Sequence, residues 1–143
     1  MTIRVRAHHL LCMLTYVGRG YSPVFTAGYD AIVERLTAGE EIVLVAGPDD
    51  ICQPMLDAAD HHCRRSSATE RDRLAADAVA KLLPRHTVRE GDPFMLDNVT
   101  LKRLRAAFQS HRTRDACDGC EWFSLCSEVA DSGFEAARLK HVR

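Results

Sequence analysis

The sequence predicts an α+β chain that is predominantly helical, with about four to five helices, a small two-stranded sheet and a cysteine-bearing C-terminal loop. Three observations predict it. Apolar residues recur at three-and-four spacing in four separate stretches, the pattern of helices that bury one face. Only two short runs carry strand character. Finally, Cys117, Cys120 and Cys126 crowd into ten residues around Gly119, an arrangement that core packing does not call for.

Each element follows from local chemistry. Thr2 to Arg6 alternates with β-branched residues and reads as a strand, and His8 to Val17 reads as a helix stopped by Gly18. Ser22-Pro23 opens a second helix, whose stripe of Phe25, Tyr29, Ile32, Val33 and Leu36 runs to Gly39. Glu41 to Ala46 is continuously apolar after Glu41 and too short for a helix, so it reads as a buried strand that pairs with the first. Ser67-Ala68-Thr69-Glu70 is a capping box for a helix that Pro84 must end. Residues 84–96 read as a loop. Asp97 or Asn98 then caps a helix burying Leu101, Leu104 and Phe108, with Lys102, Arg103 and Arg105 on a solvated face.

With 143 residues the chain reads as a single domain, 1–143, large enough for a hydrophobic core without a metal or disulfides to hold it. Lys plus Arg count 19 against 20 for Asp plus Glu, a net charge of -1, so no bulk field draws the chain to nucleic acid or an anionic membrane. No apolar run approaches the roughly 18 residues of a membrane span. Arg4 and Arg6 ahead of Leu10 to Val17 imitate a signal peptide, but two histidines interrupt the run and Gly18-Arg19-Gly20-Tyr21 stands where a cleavage site belongs. The expectation is therefore cytoplasmic, where six cysteines read as metal-binding or redox-active.

Cys117 and Cys120, two residues apart across a turn, can point at one atom, and Cys126 can bring a third sulfur back. A tetrahedral ion or a cluster wants a fourth ligand, and Cys52 or Cys63 is the candidate. Asp57, Asp60, His61 and His62 lie between those two, so a mixed site that suits zinc is chemically open. His8 and Cys12, four apart on a helix, share a face in spacing a metal can use. Packing is the leading reading for Cys12, and the two histidines stand between ligand and core. Arg64, Arg65, Arg112 and Arg114 flank the cysteines and can offset thiolate charge, while Trp122 and Phe123 offer an apolar shelf over the site.

The run Arg6-Ala7-His8-His9-Leu10-Leu11-Cys12, then Gly20-Tyr21-Ser22, then Gly47-Pro48-Asp49-Asp50-Ile51-Cys52, then Cys117-x-x-Cys120-x-Trp122 with Cys126 resembles a family of short bacterial and archaeal proteins of uncharacterised function. That family is described as iron–sulfur binding, so the resemblance implies a cluster as cofactor and no particular reaction. Three positions after Cys52, where the family pattern carries a second cysteine followed by proline, this chain has Met55-Leu56. The last cysteine also follows Trp122 more closely than in that pattern.

Three functional readings follow. The first is a metal or iron–sulfur cluster binding protein with Cys52, Cys63, Cys117, Cys120 and Cys126 as the candidate ligands and an electron-transfer or redox-sensing role toward an unknown redox or protein partner. The second is a zinc-stabilised interaction module on the same sulfurs. The third is a thiol–disulfide oxidoreductase using Cys117 and Cys120, which ranks last because Asp118 and Glu121 oppose the lowered thiol pKa such a pair needs.

Overall fold

In the computed structural model, residues 2–18, 22–46, 49–51, 66–84, 86–117 and 123–142 are described. Strand β1, Thr2–Arg6, buries Ile3 and Val5 on one face as its alternation requires. Helix α1, His9–Thr15, and helix α2, Pro23–Thr37, follow. The α2 start is as expected: Ser22 is the N-cap, its hydroxyl accepting from the Phe25 N–H at 3.1 Å, with Pro23 at the first helical position. Strand β2, Glu41–Val45, then pairs with β1 in parallel, Ile3 opposite Ile42 and Val5 opposite Leu44. A parallel pair needs a crossover, and α1 and α2 supply it.

Among the described residues the sheet has three strands, not two. Pro93–Phe94, within the segment expected to be a loop, forms β3 and runs antiparallel to β2, with Ile42 opposite Phe94 and Val43 opposite Pro93. Two residues are too few to show alternation, and Pro93 is a residue that sheets accept only at an edge, which is where β3 lies. Phe94 is buried, and Gly91 N–H donates to the Leu44 carbonyl at 2.7 Å, fastening this edge to β2.

Helix α3, Ser66–Leu82, begins one residue before the expected cap Ser67, and Glu70 pairs with Arg73 on the helix surface. Helix α4, Asn98–Gln109, is capped by Asp97, which accepts from the Thr100 N–H at 2.7 Å. Asn98 acts elsewhere. Its side-chain amide and carbonyl bind the Val142 carbonyl at 2.7 Å and the Val142 N–H at 2.8 Å, pinning the C-terminal tail. Arg105 is not on a solvated face. Its guanidinium donates to the carbonyls of Leu14 and Leu139 and lies over the Phe134 ring, tying α4 to α1 and the tail.

The expected cysteine loop contains regular structure. Arg114–Cys117 is a 3-10 turn packed on α3, and Phe123–Asp131 is helix α5, packed on α1 and α4. α1 is shorter than expected because Tyr16 leaves the helix in an extended conformation and its carbonyl accepts the Arg138 N–H at 2.8 Å. The core joins Ile3 and Val5 of β1, Leu10, Met13 and Leu14 of α1, Ile42 and Leu44 of β2, and Leu104 and Phe108 of α4.

Candidate metal centre

Buried side chains gather where β1 hands over to α1. Arg6, fully buried, directs its guanidinium at Asp72 of α3, Nε donating to Oδ2 at 2.9 Å and Nη2 lying 2.9 Å from the same oxygen. The other Asp72 oxygen accepts the His8 backbone N–H at 3.1 Å and sits 2.7 Å from His8 Nδ1. The next residue repeats the device with a different carboxylate. Asp49, buried just after β2, places Oδ2 2.7 Å from His9 Nδ1 and 2.8 Å from the Arg6 N–H. Its neighbour Asp50 clasps Arg4, accepting from the backbone N–H at 2.8 Å and from Nε at 3.1 Å, so the loop after β2 folds back along β1.

The two imidazoles lie with centroids 4.4 Å apart, and a ring nitrogen of each falls with Cys12 Sγ in one group whose members are all within 4.8 Å of one another. Since each Nδ1 is engaged by a carboxylate, Nε2 is the nitrogen left to each ring for a metal. Burial, and then the neighbouring His9, push the His8 pKa down to about 4 against the pull of Asp72, so at neutral pH this imidazole is uncharged and its lone pair is available. Burial alone would raise the Asp72 carboxyl, but hydrogen bonds from His8 and Arg6 outweigh it and hold the group below its ordinary range.

The C-terminal cysteines approach the same helix. Cys126, half-buried on α5, has its Sγ 3.1 Å from the Thr15 hydroxyl, and that hydroxyl is also 3.3 Å from the Cys12 carbonyl one turn earlier in α1. Behind them Tyr29 stacks on Tyr16, centroids 3.9 Å apart and rings 5° from parallel. The Tyr29 hydroxyl is buried with no hydrogen-bond partner among the described residues. Burial first, and then the neighbouring Cys12, Asp49 and Cys126, raise its pKa well above the tyrosine norm.

Of the expected ligands, Cys117 is half-buried at the end of the 3-10 turn and Cys126 faces α1, whereas Cys52, Cys63 and Cys120 lie outside the described residues, as do Met55, His61, His62 and Trp122. Arg114, one of the arginines that flank the cysteines, is buried between the rings of Phe108 and Phe123, 4.2 Å from each centroid. Phe123 therefore covers an arginine, with about a third of its own surface exposed. Sequence reasoning missed Asp49, Asp72, Thr15 and Tyr29. The turn Gly47-Pro48-Asp49-Asp50 was a usable signal, because a parallel register that puts Arg6 opposite Val45 returns the next residues to the end of β1.

These features define a small mixed-sheet α+β protein with buried histidines, a half-buried cysteine and carboxylates gathered at one end of its sheet. Residues 20–126 match a family model described as protein of unknown function (DUF1284), and the chain belongs to that family. No curated protein and no solved structure matches it.

Proposed function

We propose that the protein binds a transition metal or an iron–sulfur cluster through cysteine sulfurs, with Cys117, Cys120 and Cys126 supplying ligands and Cys52 or Cys63 completing the set. The observation that carries this reading is the meeting of α1 and α5: Thr15 touches Cys126 Sγ across 111 positions of sequence, one turn from Cys12. A hydroxyl donor to sulfur is the kind of neighbour that steadies a thiolate ligand and tunes its potential. The half-buried setting of Cys117 and Cys126 against the core supports it, since a cluster is kept by limiting water. The role is electron transfer or redox sensing toward a protein partner, in the cytoplasm. Among the described residues no helix is long and apolar enough to cross a membrane.

A second reading, zinc in place of a cluster, is favoured by one observation, the imidazoles beside Cys12, because mixed nitrogen and sulfur donors suit zinc.

Protein purified without oxygen is the test. The expectation is iron with acid-labile sulfide and broad visible absorption, or about one zinc per chain. Cys120→Ala and Cys126→Ala should lose that metal, and Met55→Cys should retain it longer against a chelator than Met55→Leu does. Folded protein that contains neither metal overturns the reading.

A further inference from the structure

We infer that His8, His9 and Cys12 together hold one zinc-like divalent ion, with the fourth position left to water or to another donor. The inference extends the reading above by naming ligands that the cysteine spacing does not contain, and it reverses the expectation that Cys12 is only packing.

The donor separations come first. Bonds of about 2.0 Å to nitrogen and 2.3 Å to sulfur put the corners of a zinc tetrahedron about 3.5 Å apart. One ring nitrogen of each histidine and Cys12 Sγ already lie within 4.8 Å of one another, close to the spacing that such a tetrahedron requires.

Orientation comes second. A histidine buried only for packing needs one satisfied nitrogen and no particular direction. Here two adjacent rings are each fixed at Nδ1 by a carboxylate from a different part of the chain, Asp72 on α3 and Asp49 after β2, both at 2.7 Å. Each carboxylate is itself fixed, Asp72 by Arg6 and Asp49 by the Arg6 N–H. Neither Nε2 hydrogen-bonds a described residue. A carboxylate behind each imidazole is the outer shell of a histidine–metal site, fixing the tautomer and raising ligand basicity.

The identity of the ion follows from the donors. Two imidazoles and one thiolate suit a single borderline ion, whereas a cluster is held mainly by thiolates. Three protein ligands leave a tetrahedral zinc one further position, for water or another donor.

Metal-stripped full-length protein titrated with cobalt(II), then with zinc, tests this. One equivalent of cobalt should give tetrahedral visible bands and a sulfur-to-cobalt charge-transfer band, both displaced by zinc. Cys12→Ala should abolish that charge-transfer band, and His9→Gln should weaken binding by at least tenfold. Asp49→Asn should weaken it by about 10- to 100-fold while keeping the band, as loss of an outer-shell partner does. Circular dichroism establishes folding, and if Cys12→Ala does not fold the His9→Gln result decides. A Cys12→Ala protein that binds cobalt with the wild-type spectrum and affinity overturns the inference, as does wild-type protein that binds none. Loss of the band in Cys120→Ala or Cys126→Ala but not in Cys12→Ala leaves the sulfur-centre reading standing and this one refuted. The reverse result refutes the sulfur-centre ligands and keeps this site, and loss in both makes the C-terminal sulfur the fourth donor.

Discussion

Replacing Asp72 by alanine tests whether the N-terminal junction is held from α3. The carboxylate meets Arg6 at 2.9 Å and His8 at 2.7 and 3.1 Å, so one side chain joins α3 to the end of β1 and the start of α1. The Arg6 side chain is 1% exposed and that of Asp72 17%. Removing one partner of such a buried pair costs about 3–5 kcal/mol, because a charge stays behind without the group that compensated it. The partial exposure of Asp72 sets the expectation near the lower end. With a urea slope of about 2 kcal/mol/M, a loss of about 3 kcal/mol moves the denaturation midpoint down by about 1.5 M. Asp77→Ala is the control, since this carboxylate on the same helix is 63% exposed and only 3.6 Å from Arg73, a surface pair worth well under about 1 kcal/mol. The sign with pH follows from the depressed Asp72 carboxyl: its contribution is complete above the ordinary value of 3.8 and is lost as pH falls through the lower folded value, a dependence that Asp72→Ala should remove. A wild-type minus Asp72→Ala difference below about 1 kcal/mol at neutral pH, or equal losses in both variants, would refute the argument.

Two further outcomes are expected. Tyr29→Phe removes a buried hydroxyl with no described partner, so stability should hold or rise by up to about 1 kcal/mol, and the alkaline loss that sets in above the ordinary tyrosine value should shrink; a fall of more than about 1 kcal/mol would mean the phenol is donating to something at the site. Asp97→Ala should cost about 1 kcal/mol in thermal or urea unfolding as the α4 cap is lost, and an unchanged midpoint would count against that cap.

The parts of the fold that were legible in the sequence are those fixed by local chemistry. Ser22-Pro23 and Asp97 announce helix starts because a side-chain oxygen satisfies a backbone donor three residues on, wherever the rest of the chain goes. β1 and β2 were legible as apolar alternation and as an apolar run. β3 was not, because Pro93–Phe94 is a strand only by virtue of the β2 edge it lies against. Arg105 was misread for a related reason. A charge on a helix is solvated by default, and only the tertiary neighbours, the carbonyls of Leu14 and Leu139, turn it into an interior group. Spacing alone could relate His8 to Cys12, but Asp49 meets His9 and Asp72 meets His8 through contacts 40 and 64 positions long, which no periodicity encodes.

α1 shows why its first turn bears on function as well as on packing. The helix has seven residues, its N-cap His8 has helical backbone angles and makes no side-chain cap bond, and no acidic residue occupies its first turn. By propensity and capping it is a poor helix, and its opening turn buries two imidazoles that a stable core would replace with leucine. What compensates comes from elsewhere in the chain. Asp72 accepts the His8 backbone N–H, satisfying a donor at the helix start, and the same oxygen holds His8 Nδ1. The group that stabilises the helix is therefore the group that aims the imidazole. A chain selected for stability alone needs only the first of these. Keeping histidine there, with a carboxylate brought from α3 to serve both ends, is the pattern expected where local rules yield to a site.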